Sequence, residues 1–165
     1  MKVIFSHGKE SGPWGGKITK LANIAKELNF SVDSIDYTDT FSPDERVVIL
    51  NKYLENETQP FILVGSSMGG YVSLVSAKTN NPLALFLLAP ALFIPDYQKQ
   101  TYPNLQHIEI VHGWSDDVIP VEHSIKYAKQ TQCSLHLIDG DHRLNSSMEQ
   151  VIALFKLFLY TIKSS

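Results

Sequence analysis

Residues 61–77, FILVGSSMGGYVSLVSA, limit the folds open to this chain more than any other stretch. Apolar residues at 61–64 run straight into Gly65-Ser66-Ser67-Met68-Gly69-Gly70. After that turn, Tyr71, Val72, Leu74 and Val75 recur at spacings that suit one buried face of a helix. The pattern is a strand, a tight turn and a helix. In a Gly-x-Ser-x-Gly turn of this kind the glycines remove side chains where backbone segments nearly touch. The strained serine between them holds its hydroxyl clear of the sheet edge. Ser67 is therefore the candidate nucleophile. A βα turn that merely happens to carry two glycines and a serine is the plainer alternative; the strand before it and the helix after it weigh against that.

A chain of 165 residues has room for one domain, residues 1–165, that buries a sizeable core without staples. A formal net charge of -3 leaves no electrostatic footprint for nucleic acid or for an anionic membrane. The single cysteine, Cys133, has no intrachain partner and reads as a buried thiol at the head of a strand, which suits a reducing compartment. The apolar runs at 83–95 and 151–162 are broken by prolines or by Lys156 and fall short of a membrane span. The first five residues are too short an apolar run for a signal peptide. The expectation is a cytoplasmic protein without a membrane or nucleic-acid partner.

Along the chain, residues 2–6 read as a short buried strand, followed by a loop dense in turn formers, His7-Gly8-Lys9-Glu10-Ser11-Gly12-Pro13. A helix follows, with Ile18, Leu21, Ala25 and Leu28 on its inner face and Lys17, Lys20 and Lys26 left for solvent. Residues 31–37 alternate as a strand. Ser42-Pro43-Asp44-Glu45 starts a second helix, with Ser42 as cap and Glu45 completing a capping box, and Val47, Leu50 and Leu54 inside. Asn80-Asn81-Pro82 ends the helix after Ser67, and the apolar run at 83–88 is a strand covered on both faces. Residues 89–106 carry Pro90, Pro95 and Pro103 and read as a loop with at most a turn or two of helix. A strand at 107–111, a helix opened by Pro120, a strand at 134–138 and a closing helix capped by Ser146-Ser147-Met148-Glu149 complete the chain. Six strands alternating with six helical segments predict a three-layer α/β domain around a parallel sheet. In such sheets ligands bind beyond the carboxyl ends of the strands.

A serine hydroxyl needs a base to take its proton and a third group to orient that base. Of the six histidines, His142 alone sits in a loop after the last strand, in Asp139-Gly140-Asp141-His142-Arg143. His107 and His136 belong to strands and His123 to a helix, while His7 and His112 each precede a glycine at a strand end, where turn building suits them better. The acid is expected in the loop after the preceding strand, where Asp116 and Asp117 compete. Asp116 comes first after the strand, and Asp117 is better placed to favour the N-terminus of the helix near Pro120. Taken alone, either aspartate also reads as a helix-start or turn residue.

The order Ser67, Asp116, His142, with Gly65-Ser66-Ser67-Met68-Gly69 at the elbow and His112-Gly113-x-x-Asp116-x-x-x-Pro120 at the acid loop, resembles the α/β-hydrolase superfamily over nearly the whole chain. Through Val64-Gly65-Ser66-Ser67-Met68-Gly69-Gly70-Tyr71 it is similar within that superfamily to small lidless bacterial esterases of the YqiA type. The resemblance implies that the backbone N–H groups of Lys9, after His7-Gly8, and of Met68 form the oxyanion hole. It also implies a minimal version of the fold, a six-stranded parallel sheet lacking the family's first two antiparallel strands and any cap domain.

The expected activity is hydrolysis of a carboxylic ester with a short or small acyl group by a Ser67-His142-Asp116 triad, through an acyl-enzyme and without metal or other cofactor. Thioester or amide hydrolysis by the same parts, and a non-catalytic binding protein that keeps the fold, are the alternatives. The expected partner is a small-molecule ester; oligomeric state is open. Phe93, Tyr97 and Tyr102 in residues 89–106 either line one wall of the pocket or pack that segment onto the sheet.

Overall fold

The computed structural model describes residues 1–165. Its strands are β1 (Lys2–Ser6), β2 (Ser31–Ile35), β3 (Phe61–Ser66), β4 (Ala84–Leu88), β5 (Ile108–Gly113) and β6 (Ser134–Ile138). They form one six-stranded parallel sheet in the order β2-β1-β3-β4-β5-β6. Five helices flank it: α1 (Gly16–Glu27), α2 (Pro43–Leu54), α3 (Met68–Asn80), α4 (Val121–Thr131) and α5 (Met148–Lys163).

Strand alternation divides the core in two. Val3, Phe5, Ile62, Val64, Phe86 and Leu88 face α1 and α5 on one side of the sheet. Ile4, Leu63, Leu85, Leu87 and Ile110 face α2, α3 and α4 on the other. Because both faces are covered, the central strands read as unbroken apolar runs. No helix is long and apolar enough to cross a membrane.

The strand order reverses between β1 and β3, which lie side by side with Ser6 opposite Gly65. The chain leaves β1 towards α1 on one face and leaves β3 towards α3 on the other, so the two exits diverge and open a crevice at the carboxyl edge. A side chain at Gly69 would drive its Cβ into the carbonyl oxygens of Ser6 and His7. Glycine there lets the start of α3 press against the end of β1.

Three local expectations need correction. At α2, Ser42 Oγ does accept from the Glu45 N–H at 3.2 Å, but Glu45 does not reach back to Ser42. Its carboxylate takes the Thr40 hydroxyl, and Thr40 Oγ1 in turn accepts the Ser42 N–H at 3.1 Å. The box is closed through one extra residue. At α5 the serines do not cap: Asn145–Ser147 form a 3-10 turn, and Ser147 Oγ donates instead to the carbonyl of Asp139. Residues 89–106 form the expected loop but contribute no helix, so the sixth helical segment is the 3-10 turn at Asn145–Ser147 instead. Three prolines interrupt backbone bonding in the loop, and Tyr102 organises the segment by accepting the Phe93 N–H at 2.9 Å and donating to the Lys99 carbonyl at 3.1 Å.

Candidate active site

Ser67 joins β3 to α3 at φ 55° and ψ -118°, a conformation that strains any residue with a Cβ. The turn is held from outside: the Ser67 N–H donates to the Leu88 carbonyl at 2.9 Å, and its own carbonyl accepts from Ala91 at 2.9 Å. The side chain thus projects into the crevice, where Oγ lies 3.0 Å from Nε2 of His142. Nδ1 of His142 lies 2.8 Å from Oδ2 of Asp116. In a neutral imidazole with Nδ1–H donating to the carboxylate, Nε2 is left to accept from the serine.

Two loops that are distant in sequence carry the histidine and the acid, and backbone bonds tie them together. Trp114 donates to the Ile138 carbonyl at 2.9 Å and Ser115 to the Gly140 carbonyl at 3.0 Å. A Cβ at residue 113 would collide with the Gly140 carbonyl, so the approach requires glycine. Asp141 Oδ1 accepts from the N–H groups of Arg143 and Leu144, each at 3.1 Å, and shapes the turn that presents His142.

Asp116 and its neighbour have different surroundings. Oδ1 of Asp116 accepts from Val118 and Ile119 at 2.9 and 2.8 Å, so this residue, not Asp117, ties down the turn before α4. Asp117 is exposed and makes no hydrogen bond. Burial pushes the Asp116 carboxyl up, but the bonds from His142 and the two N–H groups outweigh it and hold the group below the usual carboxylate range.

A second histidine, His112, also reaches Oδ2 of Asp116, at 3.1 Å, and its Nδ1 lies 2.7 Å from Ser124 Oγ. This chain resembles a triad on paper. However, His112 and Ser124 are both 0% exposed, so no substrate carbonyl can reach that serine. Burial lowers the His112 pKa and keeps it neutral, with Nε2–H donating to the Ile119 carbonyl at 3.0 Å. Its work is to brace the acid loop.

His7 braces the opposite wall. It is wholly buried, accepts the Tyr37 N–H on Nε2 at 2.9 Å and donates from Nδ1 to the Gly8 carbonyl at 2.7 Å. Gly8 packs beside Ser67, and Lys9 and Met68 line the same cleft as Ser67 and His142. The Lys9 N–H donates to no protein acceptor, and the first N–H groups of α3 have none within the helix.

Two residues, one behind the cleft wall and one in the cleft, escaped sequence reasoning. Arg46, 0% exposed and without a carboxylate partner, donates to the carbonyls of Gly8 at 3.0 Å, Lys9 at 3.1 Å and Thr40 at 2.8 Å. With its carbonyls drawn towards Arg46, the loop has its peptide planes fixed. The signal was its spacing of four from Leu50, which puts it on the inner face of α2. Lys17, expected in solvent, instead turns into the cleft with Nζ 3.3 Å from Ser66 Oγ, and burial pulls its pKa down to about 8. It shares a helix face with Leu21, four residues on.

The cleft has a volume of about 820 Å³ and is open to solvent. Of the three aromatics in residues 89–106, only Tyr97 lines it. Phe93 and Tyr102 pack edge-to-face on each other, 5.2 Å between centroids, and Tyr102 also meets Tyr71 and Tyr127. No three His, Cys, Asp or Glu side chains are grouped as metal ligands would be. Cys133 is half-buried at the head of β6, and burial raises its thiol pKa.

No protein-family model matches the sequence, and no curated protein does. Solved structures match it throughout. A protein of Xanthomonas campestris pv. campestris, assigned provisionally to the hydrolases of the alpha/beta superfamily, is 29% identical, with a TM-score of 0.86 over 97% of this chain and 98% of its own. A serine hydrolase without a lid from Xanthomonas campestris is 18% identical, with a TM-score of 0.74 over 96% and 81%. Est1E from Butyrivibrio proteoclasticus, with ferulic acid bound, is 17% identical, with a TM-score of 0.77 over 99% and 90%. The likeness to small lidless hydrolases agrees with the minimal six-stranded fold expected from the sequence.

Proposed function

We propose that this chain, which belongs to the α/β-hydrolase superfamily, is a serine hydrolase that cleaves a carboxylic ester with a short or small acyl group. The observation that carries the reading is the hydrogen-bonded line from Ser67 Oγ through His142 to Asp116, beside a cleft open to solvent.

In the proposed reaction Nε2 of His142 takes the Ser67 proton as Oγ attacks the ester carbonyl. The carbonyl electron pair moves onto its oxygen, which the N–H groups of Lys9 and Met68 receive. Asp116 stabilises the imidazolium. Collapse of the tetrahedral adduct breaks the bond to the alcohol, which leaves with the proton from Nε2. Water, deprotonated by the same nitrogen, then releases the acid and restores Ser67. No step draws on a metal or cofactor. A neighbour of this fold holds ferulic acid, which fits a small carboxylic acid as the product released here.

Fluorophosphonate labelling tests the reading. Wild-type protein is expected to label at Ser67, Ser67→Ala to remain unlabelled and inactive on p-nitrophenyl acetate, and Ser66→Ala to retain substantial activity. A folded wild-type protein that does not label favours a binding module. Turnover of a thioester or amide in preference to esters would move the bond without moving the triad, and lost activity with a chelator would refute cofactor-free hydrolysis.

A further inference from the structure

Six charged side chains surround the cleft: Lys9, Glu10, Lys17, Asp117, Asp141 and Arg143. Five of them are exposed, where water and salt screen them; Lys17 alone is drawn in from solvent. Its ammonium has no carboxylate within ion-pair distance, and its one hydrogen bond is to the neutral hydroxyl of Ser66, next to the nucleophile. Its position in the helix does not compensate. Lys17 sits in the first turn of α1, which carries no acidic residue, so the helix dipole opposes the cation there. A desolvated, unpaired charge that neither the local helix nor a neighbour stabilises is waiting for a counter-charge from the cleft.

We propose that Lys17 is a specificity-determining residue that binds an anionic group of the substrate, a carboxylate carried on the acyl or alcohol part of the ester near the scissile carbonyl. The inference rests on the hydrolase reading above. Asp141 and Asp116 pull on the Lys17 charge from the histidine and acid loops, and Arg143 opposes them. None of these reaches it, so the ammonium keeps its capacity for a charge-assisted bond. Burial has pulled its pKa to about 8, which still leaves the ammonium charged at neutral pH.

Two matched ester pairs test the proposal at neutral pH. For the acyl side, the p-nitrophenyl ester of hexanoic acid is compared with the p-nitrophenyl monoester of adipic acid. For the alcohol side, the acetate of methyl 4-hydroxybenzoate is compared with the acetate of 4-hydroxybenzoate. Each kcat/KM is divided by the rate of uncatalysed hydrolysis. In one pair the anionic member is expected to exceed its neutral partner by about tenfold, and the responding pair identifies which side carries the charge. Lys17→Met is expected to bring that ratio to about one, while Lys17→Arg retains a preference. Ser67 labelled by fluorophosphonate but no anionic preference in either wild-type pair, or a preference that survives in Lys17→Met, overturns the proposal alone. Absence of labelling in folded wild-type protein overturns the hydrolase reading and this inference with it.

Discussion

Arg46 donates from Nη1 to the carbonyl oxygen of Gly8 at 3.0 Å, and so fixes from behind the peptide that carries the Lys9 N–H. Arg46→Met would leave the carbonyls of Gly8, Lys9 and Thr40 without their buried donor. Losing hydrogen bonds to a buried cation costs about 2–4 kcal/mol, and displacing one oxyanion donor lowers kcat by about a hundredfold. The expected outcome is a lower Tm together with a fall in kcat larger than any change in KM. Arg46→Lys, which can restore one bond, should recover part of both; equal kcat in wild type and Arg46→Met would show that the loop keeps its geometry unaided.

Asp116→Asn is expected to lower kcat by about a thousandfold or more, because the imidazole loses both its orienting partner and its counter-charge. Asp117→Asn, altering an exposed residue without hydrogen bonds, should change it by less than about threefold. Stability adds a second readout. The Asp116 carboxyl titrates below its ordinary range in the folded protein, so its contribution is full above the unfolded pKa of about 3.9 and is lost as pH falls through the lower folded value. The stability gap between wild type and Asp116→Asn should therefore be full at neutral pH and close in acid, which denaturant melts across that window would measure.

Lys17→Met is expected to stabilise the protein at neutral pH. Burial lowers the folded pKa to about 8 from the ordinary 10.5, so the unfolded chain binds the proton more tightly and the penalty is full below about pH 8. Relief of a partly buried charge should raise Tm by about 2–4 °C, and the difference should shrink between about pH 8 and 10.5. A variant less stable than wild type at neutral pH would make Lys17 a structural residue. Stabilisation with loss of anionic selectivity is the pattern of a residue kept for function.

Residues 89–106 build no lid, and Phe93 and Tyr102 are spent on packing. An open cleft shields only the first acyl carbons, each worth about 0.8 kcal/mol when buried, so kcat/KM for p-nitrophenyl esters should peak at short chains. A maximum at palmitate, or a jump in rate at the detergent micelle threshold, would show that residues 89–106 move over the site.

Local patterns determined the architecture. Apolar runs at strand period, helical spacings and the turn residues between them are imposed by backbone geometry and burial, and they predicted the parallel sheet and its covered faces before any contact was known. The Gly65-to-Gly69 turn singled out Ser67 because a strained turn between strand and helix needs those residue types. Distances between segments were not in the sequence. Ser67 and His142 stand 75 positions apart and meet only because β5 and β6 pair in register and two loop bonds join their exits. The Glu45 half of the capping box at α2 and the serine cap at α5 failed for a related reason: Thr40 and Asp139 offered the side chains competing partners, while Ser42 capped α2 as expected. Charge showed the limit most plainly. In sequence Arg46 and Lys17 are two ordinary cations of amphipathic helices, and only the divergence of the chain at β1 and β3 decides that one faces a loop of carbonyls and the other an open cleft. Long, flexible cationic side chains can reach either water or the interior, so neighbours brought in by the fold, not local spacing, settle where their charge lies.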